Sequence, residues 1–334
     1  MPYDIQSNGG ALTSGTLGAV KLLSNTIPFP TQGNVWFVCP RTGSDQGNSG
    51  TSPQSPFKTL RFALSMATAN QNDVVYLMAQ SNTAASTTDY QTANLDWNKD
   101  GVHLIGVNNG SFIGQRSRVS QKADVASFAN LFTVSANNCL ISGIQFFQGV
   151  GSTNPSAAST CVTVSGARNR FVNCNIMGVG SSSLDDSGSN DLTVSGSENI
   201  FEHCYIGLDT VIRASALAGI VMSGSNTRNV FEGCQIVAYT SSTSYKMVTV
   251  ATGTDRFVKF VNCVFNATPN ITSSAAPSGA IGITTMNGAV IVMNCGFFNI
   301  TQIVTADNTY VQALALNGLA TGNLIGIAQS VNAA

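Results

Sequence analysis

Glu202 and Glu232 hold the same position in two matching segments, Asn199-Ile-Phe-Glu-His-Cys-Tyr-Ile206 and Asn229-Val-Phe-Glu-Gly-Cys-Gln-Ile236. If those segments are neighbouring strands, the carboxylates lie about 5 Å apart, near the spacing a retaining glycosidase uses for its acid and nucleophile. Asp185, Asp186 and Asp191 crowd a Ser/Gly-rich stretch and form a second acidic candidate, for glycan cleavage or for a weak Ca²⁺ site. His103 and His203 are the only histidines, so any imidazole acid/base scheme rests on them. A bland reading stands beside each. Arg170, Arg228 and Lys259 are in reach to neutralise the glutamates, and an Asp-Asp pair among serines and glycines is an ordinary solvated turn. The expectation is no catalytic residue, no metal and no cofactor, with Glu202, Glu232, Asp185 and Asp186 as the catalytic set if that expectation fails.

Those residues are positioned by a repeat. Asn169-Arg-Phe-Val-Asn-Cys-Asn-Ile176 recurs in the two segments above, loosens in Phe260-Val-Asn-Cys-Val-Phe265 and Val292-Met-Asn-Cys-Gly-Phe297, and is foreshadowed by Ile141-Ser-Gly-Ile-Gln-Phe146. Self-similarity of about thirty residues reads as one stacked solenoid rather than two globular domains. Five of the eight cysteines, Cys174, Cys204, Cys234, Cys263 and Cys295, share one slot, and their near-constant spacing is unlike zinc-ligand pairs. They read as reduced core thiols from a reducing compartment.

Strand alternation assigns the other slots. Phe171, Phe201, Phe231 and Phe260 point inward, and Asn169, Asn199 and Asn229 stack at a corner as an amide ladder. The flanking positions must then point out: Arg170, Ile200, Val230, Lys259 and Ile291 on one side of the phenylalanine, Val172, Glu202, Glu232, Val261 and Met293 on the other. This strip is half apolar and is expected to pack against another chain. A separate strand in each rung, Phe132-Thr-Val134 and its equivalents, turns Thr133, Thr163, Thr193 and Thr249 to solvent. The remainder of each rung, including Gly178 to Asp191, is variable and reads as a loop-rich ridge.

Toward the N-terminus, Val35-Trp-Phe-Val38, a Gly43-Ser-Asp45 loop, Pro56-Phe-Lys-Thr-Leu60 opening a helix to residue 67, and Asp73-Val-Val-Tyr-Leu-Met78 resemble the start of right-handed parallel β-helix proteins of the pectin-lyase-like superfamily. The resemblance spans about residues 35–300 and implies an all-β solenoid whose first open end is plugged by that helix. Residues 1–33 are set apart as an arm or cap, with Leu12, Leu17, Leu22, Leu23, Ile27 and Phe29 as anchoring residues; 34–300 form the β-helix; 301–334 are a cap or subunit-contact segment. Polygalacturonase-like hydrolases carry Asn-Thr-Asp, Asp-Asp, Gly-His-Gly and Arg-Ile-Lys in order, and only an Asp-Asp pair is present here.

Charged residues are 9% of the chain and the net charge is −1, which removes the electrostatic case for nucleic acid or an anionic membrane. The first residues read as lacking an export signal. Low charge, free thiols, an apolar flank and an N-terminal arm are similar to bacteriophage virion β-helix proteins. That resemblance implies a non-enzymatic homotrimer located in the virion. It would bind the major capsid protein or another virion component, with capsid decoration or cement favoured over a fibre at this length. The alternative it implies is a tailspike-like protein that binds or cleaves a host surface polysaccharide.

Overall fold

The computed structural model describes residues 33–79, 88–107, 117–122, 129–149, 159–251, 253–268, 275–284, 288–306, 311–314 and 329–330. Three ladders run its length: sheet A with eleven strands, and sheets B and C with eight each. Among the described residues, strand pairing is parallel except for one antiparallel pair at the end, Val311–Leu314 with Gln329–Ser330. The chain is therefore a right-handed parallel β-helix, as the repeat requires. The parallel ladders continue past residue 300, through Val304–Ala306 in sheet C and Val311–Leu314 in sheet A.

A regular rung runs from sheet C, for example Thr160–Val164, to sheet A at Arg170–Val172, then to sheet B at Asn175–Val179. The sequence reading joins the start of sheet B, Asn175 and Ile176, to the Phe/Cys strand and assigns the residues from Gly178 onward to the variable ridge; the structure makes them one separate strand. Sheet B follows sheet A after a turn whose corner residue has positive φ: Gly143, Asn173, His203, Gly233, Asn262 and Asn294 all lie between +51° and +66°. Asn and Gly suit that left-handed conformation, and His is among the residues enriched there. His203 is thus an exposed corner residue of the fold.

The interior is filled by columns. The rings of Phe171, Phe201, Phe231 and Phe260 stack with centroids 4.8, 4.6 and 4.9 Å apart, and all four are fully buried. Register sets this spacing, since each phenylalanine opposes the next directly. All eight cysteines are free and buried. In the ladder each thiol sits beside carbonyls of its own and the preceding rung, as Cys234 Sγ does with Phe201 O at 3.3 Å. Burial pushes the Cys139 thiol up to about 12, and such thiols are poor nucleophiles.

The asparagine column is present, but its bonds run from side chain to backbone, not from amide to amide. Oδ1 of Asn169, Asn199 and Asn229 accepts from the backbone N–H of Cys139, Asn169 and Asn199, each at 2.9 Å. Their Nδ2 groups donate to Ala136, Gly166 and Gly196 carbonyls of the preceding rung. Corner backbone groups that no strand partner reaches are satisfied in this way. Outward on sheet C, Thr133, Thr163 and Thr193 are in register, but Val221 interrupts the column before Thr249. The Thr133 and Thr163 hydroxyls donate to Asn94 and Asn130 one rung below.

The plug is helix α1, Leu60–Met66, which buries Leu60, Ala63 and Leu64 against the first rungs. Thr59 caps it by accepting from Phe62 N, and Asp45 accepts from the N–H groups of Lys58 and Thr59 at 2.7 and 3.1 Å. Asp73 ties the entry together, accepting from Asn34 N, Trp36 Nε1 and Thr68 N. Burial alone would raise its pKa, but these donors hold it below the ordinary carboxylate value.

Sheet A differs on its outer side at this end. Phe37, Val74, Tyr76, Met78 and Ile105 face away from the interior yet are buried in a second apolar cluster, with the Phe37 and Tyr76 rings stacked at 5.6 Å. Burial also raises the Tyr76 phenol. The unbroken apolar text of Val74-Val-Tyr-Leu-Met78 carried this signal, because a strand buried on both faces does not alternate.

Candidate functional site

Two groups of charged side chains contain the sequence candidates. One lies on the outer face of sheet A. Arg170, Ile200, Val230, Lys259 and Ile291 form one in-register column there, and Val172, Glu202, Glu232, Val261 and Met293 form the other. All are partly or fully exposed. Glu202 and Glu232 directly oppose each other, as their shared slot requires.

Their chemistry is not that of an acid/nucleophile pair. Glu202 is held by both arms of Arg170, with Nε to Oε1 at 2.9 Å and Nη2 to Oε2 at 2.6 Å. A carboxylate with both oxygens bonded to a guanidinium has neither oxygen free to attack a sugar carbon. Arg228 does not serve Glu202. It bonds Glu198 at 3.0 Å, and Glu198 also takes Arg168 at 2.8 Å, so three rungs are linked across the neighbouring corner. Glu232 and Lys259 have no ion-pair partner among the described residues.

The second group lies where sheet B turns toward sheet C. Here the expectation of one acidic cluster fails, because the three aspartates are bound to different donors. Asp191 is buried at the start of strand Asn190–Val194 and pairs with Arg213 Nη2 at 2.5 Å, both side chains being about 5% exposed or less. Gly178 makes room, since a Cβ there would strike the Asp191 carboxylate. Asp185 reaches across to the next rung and accepts from three successive backbone N–H groups, Ala214, Ser215 and Ala216, at 2.6, 2.8 and 2.9 Å. Asp186 closes its own turn, accepting from Gly188 N. Burial pushes the Asp191 carboxyl upward and the Arg213 charge opposes it; burial alone would lower the Arg213 guanidinium, but the Asp191 charge, joined by Tyr245, Asp185 and the hydrogen bond to Asp191, outweighs it and holds it above its ordinary value. Asp185 and Asp191 are met by nitrogen donors, where Ca²⁺ would need oxygen ligands. Among the described residues no group of three or more His, Cys, Asp or Glu could hold a metal ion.

Arg213 was missing from the candidates, although it is the residue that decides what Asp191 does. Its loop shows no repeat, so only the rarity of a cation in the apolar stretch Val211-Ile-Arg-Ala214 marked it. His103 is half-buried and its Nδ1 accepts from Leu140 N at 3.0 Å, which makes it a link between rungs. Burial lowers its pKa and favours the neutral ring. The anchoring residues Leu12, Leu17, Leu22, Leu23, Ile27 and Phe29 lie outside the described residues. Among the described residues no helix is long and apolar enough to cross a membrane.

No protein-family model matches the chain, and no curated protein sequence matches it. Solved structures do. Pectin methylesterase PemA from Erwinia chrysanthemi aligns over 89% of this chain and 92% of its own, with a TM-score of 0.57 and 14% identity. A rhamnogalacturonan lyase aligns over 80% of this chain and 69% of its own, with a TM-score of 0.51 and 17% identity. Pectate lyase Pel9A aligns over 85% and 79%, with a TM-score of 0.50 and 13% identity. At such identities the likeness concerns the path of the backbone, and unrelated activities share that path. By fold, then, the chain is a right-handed parallel β-helix.

Proposed function

We propose that the protein is a non-enzymatic bacteriophage virion structural protein, a homotrimer that decorates or cements the capsid by packing through the outer face of sheet A. The observation that carries this reading is a division of labour among side chains. Of the four carboxylates a glycan-cleaving centre would draw on, Glu202 is engaged by Arg170, Asp185 by backbone N–H groups and Asp186 by its own turn, which leaves Glu232 without the free second carboxylate such a centre needs. The outer columns of sheet A meanwhile leave Val172, Ile200, Val230, Val261, Ile291 and Met293 only partly covered. A stacked apolar strip of this kind loses about 25 cal/mol of stabilisation for every Å² left in water. Packing against a further chain recovers it. The virion assignment rests on resemblance, and the partner it names is the major capsid protein.

Sedimentation of the purified chain, alone and mixed with undecorated capsids, tests the reading. A discrete oligomer that co-sediments with capsids is the expected result. A monomer at every concentration, with no capsid binding, overturns it. So does release of reducing ends from a host surface polysaccharide that disappears in Glu202→Gln or Glu232→Gln.

A further inference from the structure

Four charged residues interrupt the apolar strip of sheet A, and they are not equivalent. Arg170 and Glu202 neutralise each other within one chain. Glu232 and Lys259 do not: they stand on adjacent strands in opposite columns, with Glu232 directly beside Val261 and Lys259 directly beside Val230. In a single chain, water solvates both, Glu232 being exposed and Lys259 half-exposed. Burial of the strip removes that water. An ion left buried without a partner costs several kcal/mol, more than neighbouring valines return, so a surface that supplies a cation to Glu232 and an anion to Lys259 fits the strip better than an apolar one.

The strip itself is such a surface. Its two charges lie one rung apart, about 4.8 Å, and side by side across the sheet. When two copies meet, the Lys259 column of one faces the Glu232 column of the other. The same match arises in a closed ring of parallel chains and in a pair related by a two-fold axis along the solenoid, because each brings one column onto the other. Resting on the proposal that this face is an interface, we infer that its occupant is a second copy of the chain, joined by ion pairs between Lys259 of one copy and Glu232 of the next. Arg170 and Glu202, already paired, then pack as a neutral unit beside the contact.

Charge reversal tests this with the full chain. Glu232→Lys places two cations on the strip and Lys259→Glu two anions; each variant alone is expected to associate about tenfold or more weakly than the wild type in equilibrium sedimentation. An equimolar mixture of the two is expected to recover part of the lost association, in complexes containing both, because two of the three contacts in a closed trimer then pair opposite charges and the third does not. That rescue separates a bond between copies from one within a copy, which mixing cannot repair. Circular dichroism of each variant checks that the β-helix is intact. Single reversals that assemble like the wild type overturn the inference, as does a mixture that stays dissociated; in either case an assembling wild type leaves the interface proposal standing. A wild type that never assembles removes both.

Discussion

Two guanidinium–carboxylate pairs in this molecule have nearly the same bond lengths and opposite surroundings. Arg213 and Asp191 meet at 2.5 Å with side chains 5% and 4% exposed; Arg170 and Glu202 meet at 2.6 Å with side chains 51% and 18% exposed. The first pair lies under the corner between sheets B and C and joins a strand to the loop of the next rung. The second lies on the flank of sheet A, where water competes for both partners. Geometry alone does not separate a structural clasp from a surface detail; the solvent left around the ions does.

The sharpest way to break that comparison is Arg213→Ala. It leaves the Asp191 carboxylate buried and unpaired, and a loss of about 3–5 kcal/mol of folding stability is expected, read by chemical denaturation. Asp191→Asn combined with Arg213→Met should recover part of that loss, because an apolar and a neutral group no longer need each other. A double variant as unstable as Arg213→Ala would show that shape, not charge, sets the corner.

Asp89 supplies the contrasting case of a buried carboxylate to which no described cation is bonded. It accepts from Leu60 N at 3.1 Å and from Gln91 Nε2 at 2.7 Å under the first turn of α1. Burial pushes its pKa up to about 7, with the Asp45 charge adding to the rise and Arg61 opposing it. The folded protein therefore holds this proton more tightly than the unfolded chain does. Asp89's contribution is fully present below about pH 4 and is lost as pH rises toward 7, each tenfold difference in proton affinity between the two states being worth about 1.4 kcal/mol. Asp89→Asn is expected to flatten the dependence of unfolding on pH between 4 and 7. An unchanged slope would place the titration elsewhere.

A smaller effect is expected where a carboxylate meets only backbone. Asp185→Ala removes the acceptor for three N–H groups, of which Ala214 and Ser215 lie in exposed residues that water can serve. A loss of about 1–3 kcal/mol follows, concentrated in the loop around Ala214, where amide exchange should accelerate while the Phe201 and Phe231 strands stay protected.

The contrast between these regions also marks what the sequence made legible. Wherever residues repeat every rung, alternation placed them correctly, because register carries one position onto the next: the phenylalanine column and the outer pair Glu202 and Glu232 are examples. The asparagines were located but their bonds were not, since the distance to a backbone N–H depends on how tightly the corner turns. Sheet B was hidden because only two residues separate it from sheet A, Asn173 and Cys174 in one rung, the first of them left-handed, and no loop announces the new strand. Asp191 was read with its sequence neighbours Asp185 and Asp186, whereas its partner Arg213 comes from the following rung. A solenoid makes residues about one rung apart closer than residues a few positions apart, and only the repeating slots reveal that rule in advance.

The smallest effect sharpens the comparison most. Arg170→Ala deletes two charge-assisted hydrogen bonds to Glu202, more than the single bond Arg213 makes to Asp191. Bond count therefore predicts the larger loss at Arg170, and solvent predicts the reverse. Glu202 retains a path to water once the long Arg170 side chain is gone, so no ion is stranded, and the expected change in folding stability is below about 1 kcal/mol. Association should respond differently, because an interface that covers the strip would bury Glu202 without its neutralising partner. Denaturation of the dilute monomer and sedimentation of the concentrated protein read the two quantities separately. A folding loss at Arg170 equal to that at Arg213 would mean that burial does not distinguish the pairs; a small folding loss with weakened assembly places Arg170 in the contact between copies.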